Sequence, residues 1–226
     1  MASSLHIVWD WNGTLLDDLD IVIEALNVGT ARFGVGPIDH DDYRDHFTRP
    51  VRGFYESLFS RPVSDTEWAQ LNESFHVEYY ARVERAPMTV GARQAIDRIS
   101  EMGWTQSLLS MSIHDRLLDN VSSHGIADRF ISIAGLRSST GGLKARHLDA
   151  HLASLGKDPD GVLLIGDTPD DAAAARGAGA GIILYDGGSH HVHALQALGA
   201  PVAHSLDQAI DIALDIAEGK ALQARL

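Results

Sequence analysis

The sequence predicts an α/β fold, a doubly wound parallel Rossmann-like sheet interrupted by an all-helical insertion. Three observations carry that reading. Short apolar stretches recur along the chain with helical stretches between them, the alternation of a parallel sheet covered on both faces. The first apolar stretch, Leu5 to Trp9, runs straight into Asp10, as a buried strand does when it delivers a side chain at its C-terminal end. Between about Asp18 and Pro87 strand signals vanish and three or four helical stretches follow one another.

After Asp10 the chain turns at Asn12-Gly13. Further strands are expected at Gln106 to Ser110, Ile131 to Ala134, Val162 to Ile165 and Gly181 to Tyr185, with a short edge strand near Val202. Helices are expected at Ile113 to Ser123, Lys144 to Leu155, Asp170 to Ala178, His191 to Leu198 and Leu206 to Ala217. The core is therefore assigned to residues 1–17 and 88–226 and an inserted cap to residues 18–87. In the cap, Ser64 and Glu67 form a capping box for a helix beginning at Ser64 or Asp65. Trp68, Leu71, Phe75, Tyr79 and Val83 line one face of it, a core stripe rather than a cofactor box. Gly36-Pro37 and Arg61-Pro62 mark turns within the cap, and Pro87 its exit.

With 226 residues and 45% hydrophobic content the chain can bury a substantial core. Its formal net charge of -13 disfavours nucleic acid and anionic membrane as partners, so any anionic ligand must be held locally. The absence of cysteine excludes disulfides, thiolate metal sites and cysteine nucleophiles. Met1 to His6 carries no basic region leading into an apolar stretch, and no apolar run is long enough to span a bilayer. The expectation is a soluble cytoplasmic protein, monomer or homodimer.

Four elements fall at predicted strand ends, where open parallel sheets bind ligands. Asp10-Trp11-Asn12-Gly13-Thr14-Leu15 sets a carboxylate before a tight turn: the carboxylate can attack phosphorus while inward-pointing turn amides cradle phosphoryl oxygens. Ser110, closing Leu108-Leu109-Ser110, offers a hydroxyl to the same oxygens. Lys144, in Gly141-Gly142-Leu143-Lys144, is placed to neutralise both nucleophile and phosphate, and is the first of only three lysines. Gly166-Asp167-Thr168-Pro169-Asp170-Asp171 is a carboxylate cluster suited to a hard divalent cation. Each has a plainer use: Asp before Gly is common in turns, Ser ends many strands, a helix-start lysine is usually solvated, and Asp170 can cap a helix.

In order, spacing and strand context these elements resemble the four motifs of the haloacid dehalogenase superfamily, in its phosphoglycolate-phosphatase-like subgroup with a helical cap, over nearly the whole chain. The resemblance implies an Mg²⁺-dependent phosphatase that hydrolyses a small phosphorylated metabolite through transient phosphorylation of Asp10. It implies Mg²⁺ held by Asp10, the Asn12 main-chain carbonyl and Asp167, with Asp171 in support directly or through water. It further implies a substrate phosphate met by Gly13, Thr14, Ser110, Met111 and Lys144, and a small hairpin from Leu15 to Asp18 that opens and closes the site.

One position departs from the family pattern. Most phosphatases of this family carry Asp two residues after the nucleophile, as general acid and then general base, where this chain has Asn12. A carboxamide cannot exchange a proton near neutral pH, so a contribution of about 10²- to 10⁴-fold loses its obvious agent. Three explanations stand open: a substrate with a good leaving group, a proton from Asp17, Asp18, His40, His46 or His76, or a phosphate-ligand binding protein that turns over slowly. Asn12→Asp is expected to raise alkyl phosphate hydrolysis about tenfold or more. Phosphonate cleavage by a cap lysine is disfavoured because no lysine precedes Lys144, and dehalogenation because the fourth motif is built for metal. A sugar-phosphate mutase would use the same Asp10 but needs a cap acid or base that the sequence does not identify. Arg44, Arg49, Arg52, Tyr43 and Tyr55 are candidate contacts to a leaving group, with a solvated helix face as their alternative. A zinc site at His190, His191 and His193 is disfavoured, since His191 and His193 are not expected to share a helical face.

Overall fold

A computed structural model describes residues 4–137 and 142–219. The chain divides into two compact units, residues 1–16 with 88–226, and residues 17–87.

The larger unit contains six strands: β1 (His6–Trp9), β2 (Thr105–Ile113), β3 (Ile133–Leu136), β4 (Val162–Gly166), β5 (Gly181–Tyr185) and β6 (Val202–Ala203). They form one sheet in the order β3-β2-β1-β4-β5-β6, parallel throughout, the doubly wound order whose direction of winding reverses between β1 and β4. Register there is direct: Trp9 pairs with Ile165, and the Asp10 N–H donates to the Ile165 carbonyl at 2.9 Å. The residues that follow β1 and β4 are thus brought side by side at the mouth of the sheet.

β1 and β4 are buried along their whole length, which explains why both read as continuous apolar runs instead of alternating ones. The polar edges that this burial traps are paired: Trp9 Nε1 donates to Gln106 Oε1 at 2.9 Å, and Gln106 Nε2 donates to the Ile96 carbonyl at 2.9 Å. Val8, Leu109, Leu148, Leu152, Leu164 and Ile182 belong to one core cluster, each worth about 1.5–3 kcal/mol when fully buried.

The smaller unit holds α1 (Leu19–Ala31), α2 (His40–His46), α3 (Val51–Phe59) and α4 (Asp65–Tyr80) around a core of Leu19, Leu26, Ile38, Tyr43, Phe54, Tyr55, Val63 and Leu71. The Ser64–Glu67 capping box is present at the start of α4. Leu71 and Tyr79 are buried on α4, while Val83 lies beyond its end in a single 3₁₀ turn.

Helices of the larger unit follow as α5 (Ala92–Glu101), α6 (His114–Ser123), α7 (Lys144–Leu155), α8 (Pro169–Ala178), α9 (Val192–Gln196) and α10 (Leu206–Ala217). Of these, α5 was not expected. Ala92, Ala95, Ile96 and Ile99 are buried at helical spacing, but its N-cap is Gly91 with no side-chain cap, so the start signal is missing. β3 begins two residues later than expected because Ile131 stays exposed, and α9 is shorter because His191 is its extended N-cap. The stretch from Leu15 to Asp18 is not a paired hairpin: Leu16 makes single bridges to Asn12 and Met88. Gly141 lies outside the described residues, and among those described no helix is long and apolar enough to cross a membrane.

Candidate active site

At the winding reversal, Asp10 leaves β1 and Asp167 leaves β4, both buried. Lys144 opens α7 and is 2% exposed. Its Nζ lies 2.7 Å from Asp10 Oδ1 and 2.6 Å from Asp171 Oδ1, so one ammonium joins two carboxylates from different motifs. Asp171 is held in turn by α8. It is the N3 residue of a capping box in which Thr168 donates to Asp171 Oδ2 through its hydroxyl at 2.6 Å and its N–H at 3.0 Å. Asp170 accepts the Lys144 N–H at 3.2 Å, which ties the start of α7 to the same loop.

Asp167 accepts the Thr14 hydroxyl at 3.1 Å on Oδ1 and the Ser189 N–H at 2.7 Å on Oδ2. Two glycines let the backbone close around it. A Cβ on Gly13, which has φ +70°, would stand 2.6 Å from Asp167 Oδ2, and one on Gly188 would overlap the same carboxylate. Among the described residues, Asp10, Asp167 and Asp171 are the one group of three potential metal ligands, their ligand atoms within 4.8 Å of one another.

Three carboxylates against one ammonium leave an excess of negative charge in a buried place, and the acidities show it. Burial pushes the Asp10 carboxyl up to about 6 against the opposing pull of Lys144. Burial, with the Asp10 and Asp171 carboxylates beside it, pushes Asp167 up to about 7. For Asp171 burial acts upward too, but the Lys144 ammonium and the Thr168 hydrogen bonds outweigh it and hold it below the usual carboxylate range. Lys144, which burial alone would lower, is held above its ordinary value by Asp10 and Asp171.

The other expected residues fall into two groups. Ser110 and Asn12 meet: Asn12 Oδ1 accepts the Ser112 hydroxyl at 2.7 Å and the Ser110 hydroxyl at 3.3 Å, with half-buried Met111 between the two serines on β2. The turn amides behave differently from expectation. Gly13 N–H donates to the Leu16 carbonyl at 3.0 Å and Thr14 N–H to the Trp11 carbonyl at 3.2 Å, so these two donors close the turn itself instead of pointing inward. Thr14, fully buried, serves Asp167.

In the smaller unit, Tyr43 and Tyr55 are core residues, and Arg52 is engaged by Asp65 and Glu56. Asp18 is buried and accepts the Tyr79 hydroxyl at 2.6 Å. His40 pairs with Asp20 at 2.8 Å, His46 with the Ser57 hydroxyl at 2.8 Å, and His76 with the Asn72 carbonyl at 2.7 Å. The rings of His191 and His193 do stack, centroids 5.3 Å apart, because His191 precedes the helix.

Sequence reasoning missed Ser112, Thr168, Gly188 and Ser189. Thr168 was findable, since Thr-x-x-Asp is a helix-start signature. Ser112 and Ser189 carry no local signal, as their partners Asn12 and Asp167 lie far away in sequence.

A model of haloacid dehalogenase-like hydrolases matches residues 7–185. The chain belongs to this family. That establishes the resemblance read from the four motifs and makes the protein an enzyme of the hydrolase class. A phosphoglycolate phosphatase of Caulobacter vibrioides is 29% identical over 221 residues, covering 90% of each chain. One of Synechococcus elongatus is 28% identical over 182 residues, covering 76% of this chain and 79% of its own. Among solved structures, a predicted phosphatase from Clostridium acetobutylicum superposes with a TM-score of 0.82 at 16% identity, over 94% of this chain and 99% of its own. A haloacid dehalogenase-like hydrolase from Streptococcus pneumoniae gives 0.78 at 21% identity, over 92% and 98%. Both share the fold described above.

Proposed function

We propose that this hydrolase is an Mg²⁺-dependent phosphatase that cleaves a small phosphorylated metabolite by way of a phosphoryl group carried on Asp10. The observation that carries this reading is the placement of Asp10 at the tip of β1, 2.7 Å from the buried Lys144 ammonium and within a cluster of three carboxylates. The names of the relatives point to phosphatase chemistry too, and phosphoglycolate, an alkyl phosphate, is the substrate they supply for comparison with acyl and aryl phosphates.

The residues fit a divalent cation. A buried, all-oxygen donor set with excess negative charge suits Mg²⁺, and the raised acidities of Asp10 and Asp167 are what such a set shows without one. Asp10, Asp167 and the Asn12 carbonyl would hold it. Asp171, in the same carboxylate group and bonded to Lys144 and Thr168, would support it directly or through water. When bound, the cation would keep the carboxylates ionised and draw charge from the phosphoryl oxygens.

Asp10 attacks phosphorus, the bond to the leaving oxygen breaks, and Lys144 stabilises the charge that gathers on the phosphoryl oxygens. Water then attacks the phosphorus, freeing Asp10 and phosphate. Ser110, whose hydroxyl donates to Asn12 Oδ1, would redirect it to a phosphoryl oxygen when substrate binds. A second reading, a phosphate-ligand binder with slow turnover, is favoured by the non-titrating Asn12. Mg²⁺-dependent phosphate release from p-nitrophenyl phosphate or acetyl phosphate, abolished by Asp10→Asn, supports the phosphatase. Release unaffected by that substitution sinks the mechanism.

A further inference from the structure

The environment of Asn12 bears on which substrates the site takes. Its Oδ1 accepts two serine hydroxyls, Ser112 at 2.7 Å and Ser110 at 3.3 Å. Ser110 Oγ itself accepts the Ser112 N–H at 3.1 Å, which turns the Ser110 hydrogen toward Asn12 and sets the carboxamide with its oxygen facing β2. Both serines stand on β2, which is paired in parallel register with β1, so Asn12 is pinned by the sheet. Position 12 thus carries a fixed neutral amide with no proton to give.

The charged groups around Asp10 and Asp167 engage one another. Lys144 Nζ donates to Asp10 and Asp171, Asp171 accepts from Thr168, and Asp167 accepts from Thr14 and Ser189.

We propose that the site is selective for phosphorylated substrates whose leaving group departs as a stable anion, acyl phosphates foremost and aryl or enol phosphates next. The proposal rests on the reading of Asp10 as nucleophile. In the first step an Asp10 carboxylate oxygen forms a bond to phosphorus, and the phosphorus–oxygen bond to the leaving group breaks. The electron pair stays on a carboxylate or phenolate that needs no proton. In the second, water adds to phosphorus, the bond to Asp10 breaks to regenerate its carboxylate, and both water hydrogens leave with the phosphate as dihydrogen phosphate.

The test is a leaving-group series of acetyl phosphate, p-nitrophenyl phosphate, phenyl phosphate and ethyl phosphate. The protein is assayed with saturating Mg²⁺ as wild type, Asn12→Asp and Asp10→Asn. The readout is kcat/KM, which reports transfer to Asp10. Wild type is expected to fall by about 100-fold or more from the first substrate to the last, the scale of a missing general acid. Asn12→Asp, isosteric and able to accept the same two hydroxyls, is expected to recover about tenfold or more on ethyl phosphate and much less on acetyl phosphate. A wild-type series flat to within about tenfold overturns the proposal even if the variant fails to fold. If Asp10→Asn is silent on every substrate in that case, the nucleophile reading stands while the selectivity fails. Turnover surviving in Asp10→Asn overturns both.

Discussion

Replacing Lys144 with Met keeps most of the buried volume of the side chain but removes the ammonium that joins Asp10 to Asp171. At 2.7 Å and 2.6 Å each contact has a gross attraction of about 6 kcal/mol at an effective dielectric of about 20. Desolvation of the ammonium cancels much of this, so one-sided removal is expected to cost about 3–5 kcal/mol. The loss depends on pH. Lys144 pulls the Asp10 acidity down toward its value of about 6, so without it Asp10 binds its proton more tightly, and Asp171 loses the partner that keeps it low. Near pH 5 Asp10 is mostly protonated in both proteins, whereas near pH 8 it is ionised in the wild type. Each unit between the two acidities adds about 1.4 kcal/mol, so the variant should lose more stability near pH 8 than near pH 5. Urea unfolding in EDTA at the two pH values measures this. Equal losses at both, or no loss at either, would refute the charge accounting of the site.

Metal-free protein should become less stable between about pH 4 and pH 7 through Asp10 and Asp167. Their folded acidities of about 6 and 7 lie above the unfolded value, so the stability they contribute is present at low pH and is lost as pH rises through those values. Added Mg²⁺ should therefore raise the thermal midpoint more near pH 8 than near pH 5.5; a pH-independent increment would contradict the assignment of these ligands. His6 and His151, whose Nε2 atoms each lie 2.8 Å from the Ser107 hydroxyl, act in the opposite sense. Burial lowers both to about 4, so their contribution is present above the ordinary histidine value and is lost as pH falls through about 4. Acid unfolding monitored by circular dichroism should shift to lower pH in His151→Gln, about 1–2 kcal/mol of acid sensitivity being removed; an unshifted midpoint would exclude this pair as its source. Gly188→Ala should push Asp167 out of place and weaken Mg²⁺ affinity about 10- to 100-fold by calorimetry with the fold retained, and unchanged affinity would show that Asp167 does not need this close approach.

Much of this protein was legible in its sequence because the relevant signals are local. Buried parallel strands announce themselves as apolar runs, and β1, β4 and β5 could be placed to within a residue of their observed bounds. Asp10 and Asp167 could be named because each directly follows such a run, and Lys144 because it begins a helix and lysine is scarce. The helical character of residues 17–87 was legible from periodicity, but that Tyr43 and Tyr55 are core was not, because an aromatic on a short helix gives no indication of which side is covered.

Tertiary structure alone decided how these residues act on one another. The β1–β4 register sets Asp10 and Asp167 together, and the reach of Lys144 from α7 turns three separated motifs into one charge network. The role of Thr14, the use of the Gly13 and Thr14 amides within their own turn, and the pinning of Asn12 by Ser110 and Ser112 are all outcomes of strand pairing and packing. The physical reason is range: turn, cap and burial preferences act over a few residues, whereas the bonds that fix Asn12 and the ion pair that joins Lys144 to Asp10 link residues about a hundred positions or more apart.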